Sequence, residues 1–487
     1  MHFLVLRVSH SRILRLLLAL GFLVVGVGRA QAQTTQVHLS VLSLSPAKVK
    51  IDIVGVGNRS LSFPNTFGSV IGLAERIEDL QGRDNQRRDV PVRKVAPGEF
   101  RSGESIDRIS YEVTLRPPSG QGDRSHVSWM TNEYGLFMLG DLLPQIGERP
   151  LREIDLTFEL PAGWLIASSS EPVDKGRYRV SRPDKAVFLS SPSLREQRKR
   201  LGATDVSVVG GDGWAFKDRD LMGIVTKLLG EYGTITGHPL PGKVSLLLIP
   251  FSGRVGPDRW SADTRGRDVV FVMGKEGSRS ALLSRLRVVL AHELFHLWVP
   301  NALALEGDYD WFFEGFTLYQ AMLTALRLHY ISFGDYLDTI ARVYDSYRSS
   351  PERDKLSLIE ASERRWTTSA SLVYDKGMLV ALLYDLKVRR ISGNRTTLTD
   401  VYPGLFSEVT SNHQDANDLI ISMLNRHQGM NQFGQDYVQS AGQINLAQEL
   451  EPYGLDVETT GSITEVKARR TISAEQRQLL KTLGYKK

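Results

Sequence analysis

From about residue 36 to 192 the apolar positions come in short runs that often alternate with polar ones, as in 37–44, 109–115 and 154–160, and this period of two predicts strands. Pro and Gly punctuate the runs, notably in Pro117-Pro-Ser-Gly-Gln-Gly122, so the economical reading is an antiparallel β domain over 33–205. The pattern then turns mixed. A helix is predicted over 221–232, strands over 243–249 and 268–272, and a long, largely buried helix that starts at Ser278 or Ser280 and runs until Pro300 stops it. A further helix is predicted from Asp308 or Asp310 to about Leu328, closing an α+β domain over 206–333. Helical periodicity continues through 336–347, 371–390 and 416–425, which predicts a mostly α C-terminal domain over 334–455. Residues 456–487 read as a polar tail, with one short helix at 474–483. No internal repeat is found.

The chain of 487 residues is long enough for several cores. Its first 32 residues read as a secretory signal: Arg7, Arg12 and Arg15 precede an apolar run at 16–28, and Ala30-Gln-Ala32 offers a cleavage site. The run is shorter than the 20 or so residues that span a bilayer, so no stable membrane anchor is expected and the product is exported, periplasmic or secreted. The signal also carries most of the basic excess. Without its four arginines, 56 of the 60 basic residues stand against 55 acidic ones, and nucleic-acid binding loses its support. The basic cluster at 195–200 then reads as a solvated loop. With no cysteine, any metal must be held by His and carboxylate.

Ala291-His-Glu-Leu-Phe-His-Leu-Trp298, inside the long buried helix, carries that chemistry. His292 and His296 are four residues apart and share one helical face, close enough to bind one ion. Glu293 is rotated by about 100° from His292, so it can reach a water beside the ion without ligating it. An apolar helix that buried these three polar groups idly would do so at a cost of several kcal/mol. A catalytic zinc site takes three protein ligands and keeps one position open. Glu314, on the next predicted helix, is the favoured third ligand; Glu306, in the polar loop Leu305-Glu-Gly-Asp308, is the rival.

HELFHLW, then WFFEGFTLY, then Tyr374-Asp-Lys-Gly377, in this order, resemble the gluzincin zinc metallopeptidases, especially the glycyl aminopeptidase family. Weaker similarity, as at Gly135-Leu-Phe-Met138, extends it over most of 36–455. The resemblance implies a thermolysin-like catalytic domain and one Zn2+ per chain on His292, His296 and Glu314. It also implies Glu293 as the base, Tyr374 as the hydroxyl that stabilises an oxyanion, and a peptide or protein substrate. Two departures stand out. The 32 residues after Leu455 are too few for the PDZ domain usual in the family, and its Gly-Gly-x-Glu segment is replaced by Arg265-Gly-Arg-Asp268. Asp268 is the residue that aligns with that segment's amine-binding glutamate, 24 residues before His292. An aminopeptidase is the first expectation; an endopeptidase using the same site and an inactive peptide-binding scaffold are the alternatives.

Overall fold

The computed structural model describes residues 34–147, 149–409 and 414–486. The signal expected at 1–32 lies outside them. The N-terminal part is built on a ten-stranded sheet with the central order Ile154–Glu159, Thr35–Leu44, Ala47–Ser62, Glu99–Thr114, Ile77–Arg83. Its strands arise where the alternation is cleanest: in Ala47–Ser62, Val49, Ile51 and Ile53 are fully buried and the residues between them are not. One pair departs from the antiparallel expectation. Thr35–Leu44 and Ile154–Glu159 run parallel, Val37 facing Leu156, because more than a hundred residues of intervening chain return on the far side.

A four-stranded sheet, in the order Leu165–Ala167, Val187–Ser191, Gly135–Met138, Trp129–Met130, lies between this sheet and the next. Its strands Val187–Ser191 and Gly135–Met138 are buried on both faces. Phe137 and Phe188 pack into the core of the large sheet, whereas Leu136, Met138, Val187 and Leu189 pack against Leu247, Ile249, Val270 and Val272 of the following sheet. Consecutive residues serve opposite layers, which explains runs such as Gly135-Leu-Phe-Met138 that are apolar without alternating.

The following sheet has five strands, in the order Arg195–Leu201, Thr204–Gly210, Gly242–Pro250, Asp268–Met273, Trp260–Arg265. The inner three are parallel and the two edges antiparallel. Arg195–Leu201 is therefore an exposed edge strand and not a loop, and the division drawn at residue 205 falls inside the second strand of a hairpin that belongs to this sheet. Its charges suit an edge, where they discourage pairing with another chain. The helix Asp218–Thr236 crosses between two parallel strands, and Arg279–Glu293 follows the strand Asp268–Met273, its first turn capped by the Ser278 hydroxyl, which accepts from the Ala281 amide at 3.2 Å.

The C-terminal part is helical, with Thr317–Arg327, Phe333–Ser349, Ala370–Ser392, Val401–Glu408 and Ala416–Leu424 sharing one core with the helices above. The polar-tail reading of 456–487 is corrected. Leu455–Thr460 and Ile463–Ala468 form a hairpin, and the helix Ala474–Thr482 inserts Leu479, Leu480 and Leu483 into the same core. A tail with so few apolar residues looks solvated in sequence, but these three fall at helical spacing on one face. Among the described residues no helix is long and apolar enough to cross a membrane. Because Leu480 is 0% exposed, Leu480→Ala is expected to cost about 2–5 kcal/mol, measured by urea unfolding followed by circular dichroism. A cost below about 1 kcal/mol would show that the helix does not share the core.

Candidate metal centre

The helix Arg279–Glu293 ends at the motif and tightens to a 3-10 turn at Phe295–Leu297, so His296 lies just past regular α-helix. The tightening has a local cause: Pro300 offers no amide to continue the ladder, and the last carbonyls are taken by closer partners such as Trp298 N to Phe295 O at 2.9 Å. The motif's aromatic residues brace it. Phe295 and Trp298 pack edge-on against Tyr232, whose hydroxyl donates to Ala291 O, and Trp298 Nε1 donates to His238 O at 2.8 Å.

Glu314 arrives from a π-helical turn, Trp311–Phe316, that opens the helix Thr317–Arg327. Its position is set by a backbone crossing. A Cβ placed on Gly315 would lie 2.4 Å from the Gly377 carbonyl carbon, and one on Gly377 would lie 2.6 Å from Trp311 O. Two glycines thus let the Glu314 turn and the helix Ala370–Ser392 touch backbone to backbone, and Tyr374, one turn before Gly377, comes alongside Glu314.

The three ligand atoms converge. His292 Nε2 and His296 Nε2 are 2.9 Å apart, and Glu314 Oε2 lies 3.3 and 3.4 Å from them. A tetrahedral ion with bonds of about 2.0–2.1 Å separates its ligand atoms by about 3.3–3.4 Å, so the set fits zinc. Two further observations agree. Glu314 Oε2 is buried and makes no hydrogen bond of proper geometry, and His296 Nδ1 lies 2.8 Å from Val299 O, to which it must donate, so its Nε2 lone pair faces the other ligands. The electrostatics also suit a cation. Burial opposes charge on His296 but the Glu314 carboxylate outweighs it and lifts the imidazole to about 9; burial likewise opposes charge on Glu314, which His296, His292 and Arg365 hold well below the usual carboxylate range.

Around this centre is a cavity of about 340 Å³. Glu293 lines it, its carboxylate accepting from Thr264 Oγ1 at 3.0 Å, and burial raises its carboxyl above the ordinary value. Tyr374 lines it too. Arg365 Nη2 donates to the Tyr374 hydroxyl at 2.6 Å and to Glu314 Oε1 at 2.8 Å, while Nη1 bonds Asp310 at 2.5 Å. Burial and the Glu314 charge push the Tyr374 hydroxyl well above its usual value, so it keeps a proton to donate. The structure therefore brings together His292, Glu293, His296, Glu314 and Tyr374. Glu306 lies outside the cavity, in a short bridge with Gln414–Asp415.

Asp268 is placed elsewhere. It is 1% exposed, accepts from the Ser169 amide and hydroxyl, both at 2.7 Å, and lies outside the cavity around the histidines; burial pushes its carboxyl up to about 7. The acidic residue that the edge strand Trp260–Arg265 sends into the cavity is Asp263, with Arg265 Nε at 2.8 Å and His126 Nδ1 at 3.4 Å. Burial opposes its charge, but Arg265 and His126 outweigh it and bring the carboxyl down to about 2. Sequence reasoning missed Asp263 by counting back from His292 into the wrong strand. It also missed Arg365, which lies in a stretch without periodicity, and Asn301, which ties the edge strand to the motif by donating to Thr264 O at 3.2 Å and His296 O at 2.9 Å.

Residues 285–380 match a family model described as M61 glycyl aminopeptidase. No curated protein matches the chain. Among solved structures, an aminopeptidase N family protein from Idiomarina loihiensis is 16% identical with a TM-score of 0.74, over 88% of this chain and 79% of that one. A mutant M1 zinc metallopeptidase from Deinococcus radiodurans is 15% identical with a TM-score of 0.52, over 85% of this chain and 95% of that one. The structures establish a shared fold, β-rich at the N-terminus and helical at the C-terminus. The matched segment contains His292, Glu293, His296, Glu314 and Tyr374, and supports the resemblance to glycyl aminopeptidases and a zinc metallopeptidase.

The glycine crossing gives a direct test. Gly377→Ala must push the two backbones apart, so we expect bound zinc after dialysis to fall well below that of wild type, with a stability loss of about 1–3 kcal/mol. Full zinc occupancy by plasma emission in Gly377→Ala would show that the crossing does not set the site.

Proposed function

We propose that the protein is an exported zinc peptidase that removes N-terminal residues from peptides, with one zinc ion on His292, His296 and Glu314. The observation that carries it is the convergence of these three ligand atoms in one cavity with Glu293 and Tyr374. When bound, the zinc ion supplies a Lewis acid that polarises the scissile carbonyl and acidifies water. The protein's own groups do the rest. Glu293, its carboxyl raised by burial, takes a proton from the attacking water and returns it to the leaving amine. Tyr374 donates to the developing oxyanion, and Arg365 fixes the Tyr374 oxygen from the other side. The leader read at 1–32, cut after Ala32, makes the mature enzyme periplasmic or secreted.

The aminopeptidase reading rests on the family match, and Asp263 is a carboxylate of the cavity wall, apart from Glu293 and Glu314, that a free α-amine can meet. One observation favours a second reading, cleavage within chains: Arg265 and His126 already attend Asp263, so an incoming amine must compete with them.

Two experiments test these steps. Glu293→Gln and Tyr374→Phe should keep zinc while lowering kcat by about 10²–10⁴-fold and 10²–10³-fold respectively, and a wild type without chelator-sensitive cleavage of a peptide library would sink the assignment. Paired free and N-acetylated fluorogenic peptides separate the two readings. The aminopeptidase predicts that wild type prefers free amines and that Asp263→Asn removes the preference while Asp268→Asn keeps it. Equal cleavage of both series by wild type would instead establish the endopeptidase.

A further inference from the structure

Around the cavity Asp184, Asp263 and Glu314 are each paired with an arginine, and Glu293 accepts from the Thr264 hydroxyl. Asp184 is gripped by Arg182, with Nε and Nη2 at 3.1 and 2.9 Å from its two oxygens. Asp263 is held by Arg265, and Glu314 by Arg365. Lys185 has no such partner. Lys185 lines this cavity and the adjoining one beside Asp268, carried there from the N-terminal part by the turn Pro183–Lys185, and the one hydrogen bond of its ammonium among the described residues is to a neutral oxygen, Asn301 Oδ1, at 3.2 Å.

That bond holds Lys185 in place. Asn301 is itself fixed by four contacts: Gly266 N donates to its Oδ1 at 3.0 Å, its amide donates to Thr264 O and His296 O, and Lys185 completes the set. The Lys185 stem is confined too, since a Cβ on Gly266 would lie 3.4 Å from Lys185 Cβ. A half-buried ammonium with three donors and one neutral acceptor, held against the strand and turn that carry the site, has donors left for an anion. Burial is its largest perturbation and disfavours the charge, a cost that a carboxylate at hydrogen-bond distance reverses.

We propose that Lys185 is a specificity residue that binds a carboxylate of the peptide substrate, supplied either by an acidic side chain or by a free C-terminus. The proposal rests on the peptidase reading, and the cavity's other cations support the assignment by exclusion, each being committed to a carboxylate of the protein. Lys185 touches no reacting atom; it acts on which peptides are bound.

Equilibrium binding to zinc-loaded Glu293→Gln protein tests this separately from turnover. The probes are Gly-Glu-amide, Gly-Gln-amide and Gly-Gln with a free C-terminus, titrated calorimetrically. At least one carboxylate-bearing peptide should bind about tenfold to a hundredfold more tightly than Gly-Gln-amide. A preference for Gly-Glu-amide assigns the side chain, and one for free Gly-Gln assigns the C-terminus. Adding Lys185→Met should erase the preference, and adding Lys185→Glu should turn it towards Gly-Lys-amide, with melting temperature confirming that each variant folds. Equal affinities for all three probes, or a preference that survives Lys185→Met, overturns the proposal. Wild type that binds the peptides with this preference but hydrolyses none refutes the peptidase reading alone.

Discussion

The contact between Gly315 and Gly377 is the constraint on which the rest of the site depends. A catalytic zinc site of this kind needs a carboxylate from one helix and a proton donor from another within a few ångströms of a histidine pair on a third. Helices normally pack with axes 8–10 Å apart, kept there by side chains. Glycine at both faces of one crossing removes that spacer, and the π-helical turn at Trp311–Phe316 shifts Glu314 towards the histidines. The cost is the conformational freedom of two glycines inside helices, about 1 kcal/mol each, which the buried aromatic residues around the crossing offset. Trp311, Phe312 and Phe316 are all fully buried there.

That close crossing also explains why so many charges sit in an apolar core. Glu314 lies between the imidazoles and Arg365, and Asp310 extends this into a chain of alternating sign. Buried ions are tolerable only when each has a partner and its remaining hydrogen bonds are met. Arg365 donates to three residues at once, so its loss would leave Asp310 uncompensated, Glu314 with the histidines alone and Tyr374 without its restraint. The central four-stranded sheet provides a rigid frame at larger scale. Its strands Val187–Ser191 and Gly135–Met138, buried on both faces, fix the N-terminal part against the five-stranded sheet, which is how Phe67, His126 and Lys185 come to form one wall of the cavity.

What the sequence made legible follows from the range of the forces involved. The motif helix, its Ser278 cap and the helices around Glu314 and Tyr374 are governed by spacing within a few residues, and the chain displays that spacing directly. The parallel pairing of Thr35–Leu44 with Ile154–Glu159 depends on how distant segments return, and nothing local records it. The C-terminal hairpin was obscured for a related reason: Leu455 and Val466 dock it beside the leucines of the helix expected at 474–483, while the other residues of this stretch face solvent and dominate the composition. Arg365 shows no periodic signal because it serves charges brought together only by folding.

Asp268 and Asp263 show most clearly how a count along the chain can fail where a pattern succeeds. Both are strand residues separated by a tight turn at Gly266, and in the antiparallel pair Trp260–Arg265 with Asp268–Met273 only the outer strand borders the cavity. On that outer strand side chains alternate between its two faces, so Asp263 and Arg265 fall on one face and Thr264 on the other. Thr264 accordingly reaches Glu293, and Arg265 turns back on Asp263. A carboxylate with a cation two residues away on the same face is a weaker amine receptor than an unpaired one, because each bond to the ligand must replace a bond already made. The edge strand thus both holds Glu293 through Thr264 and keeps Asp263 paired with Arg265 on the cavity wall.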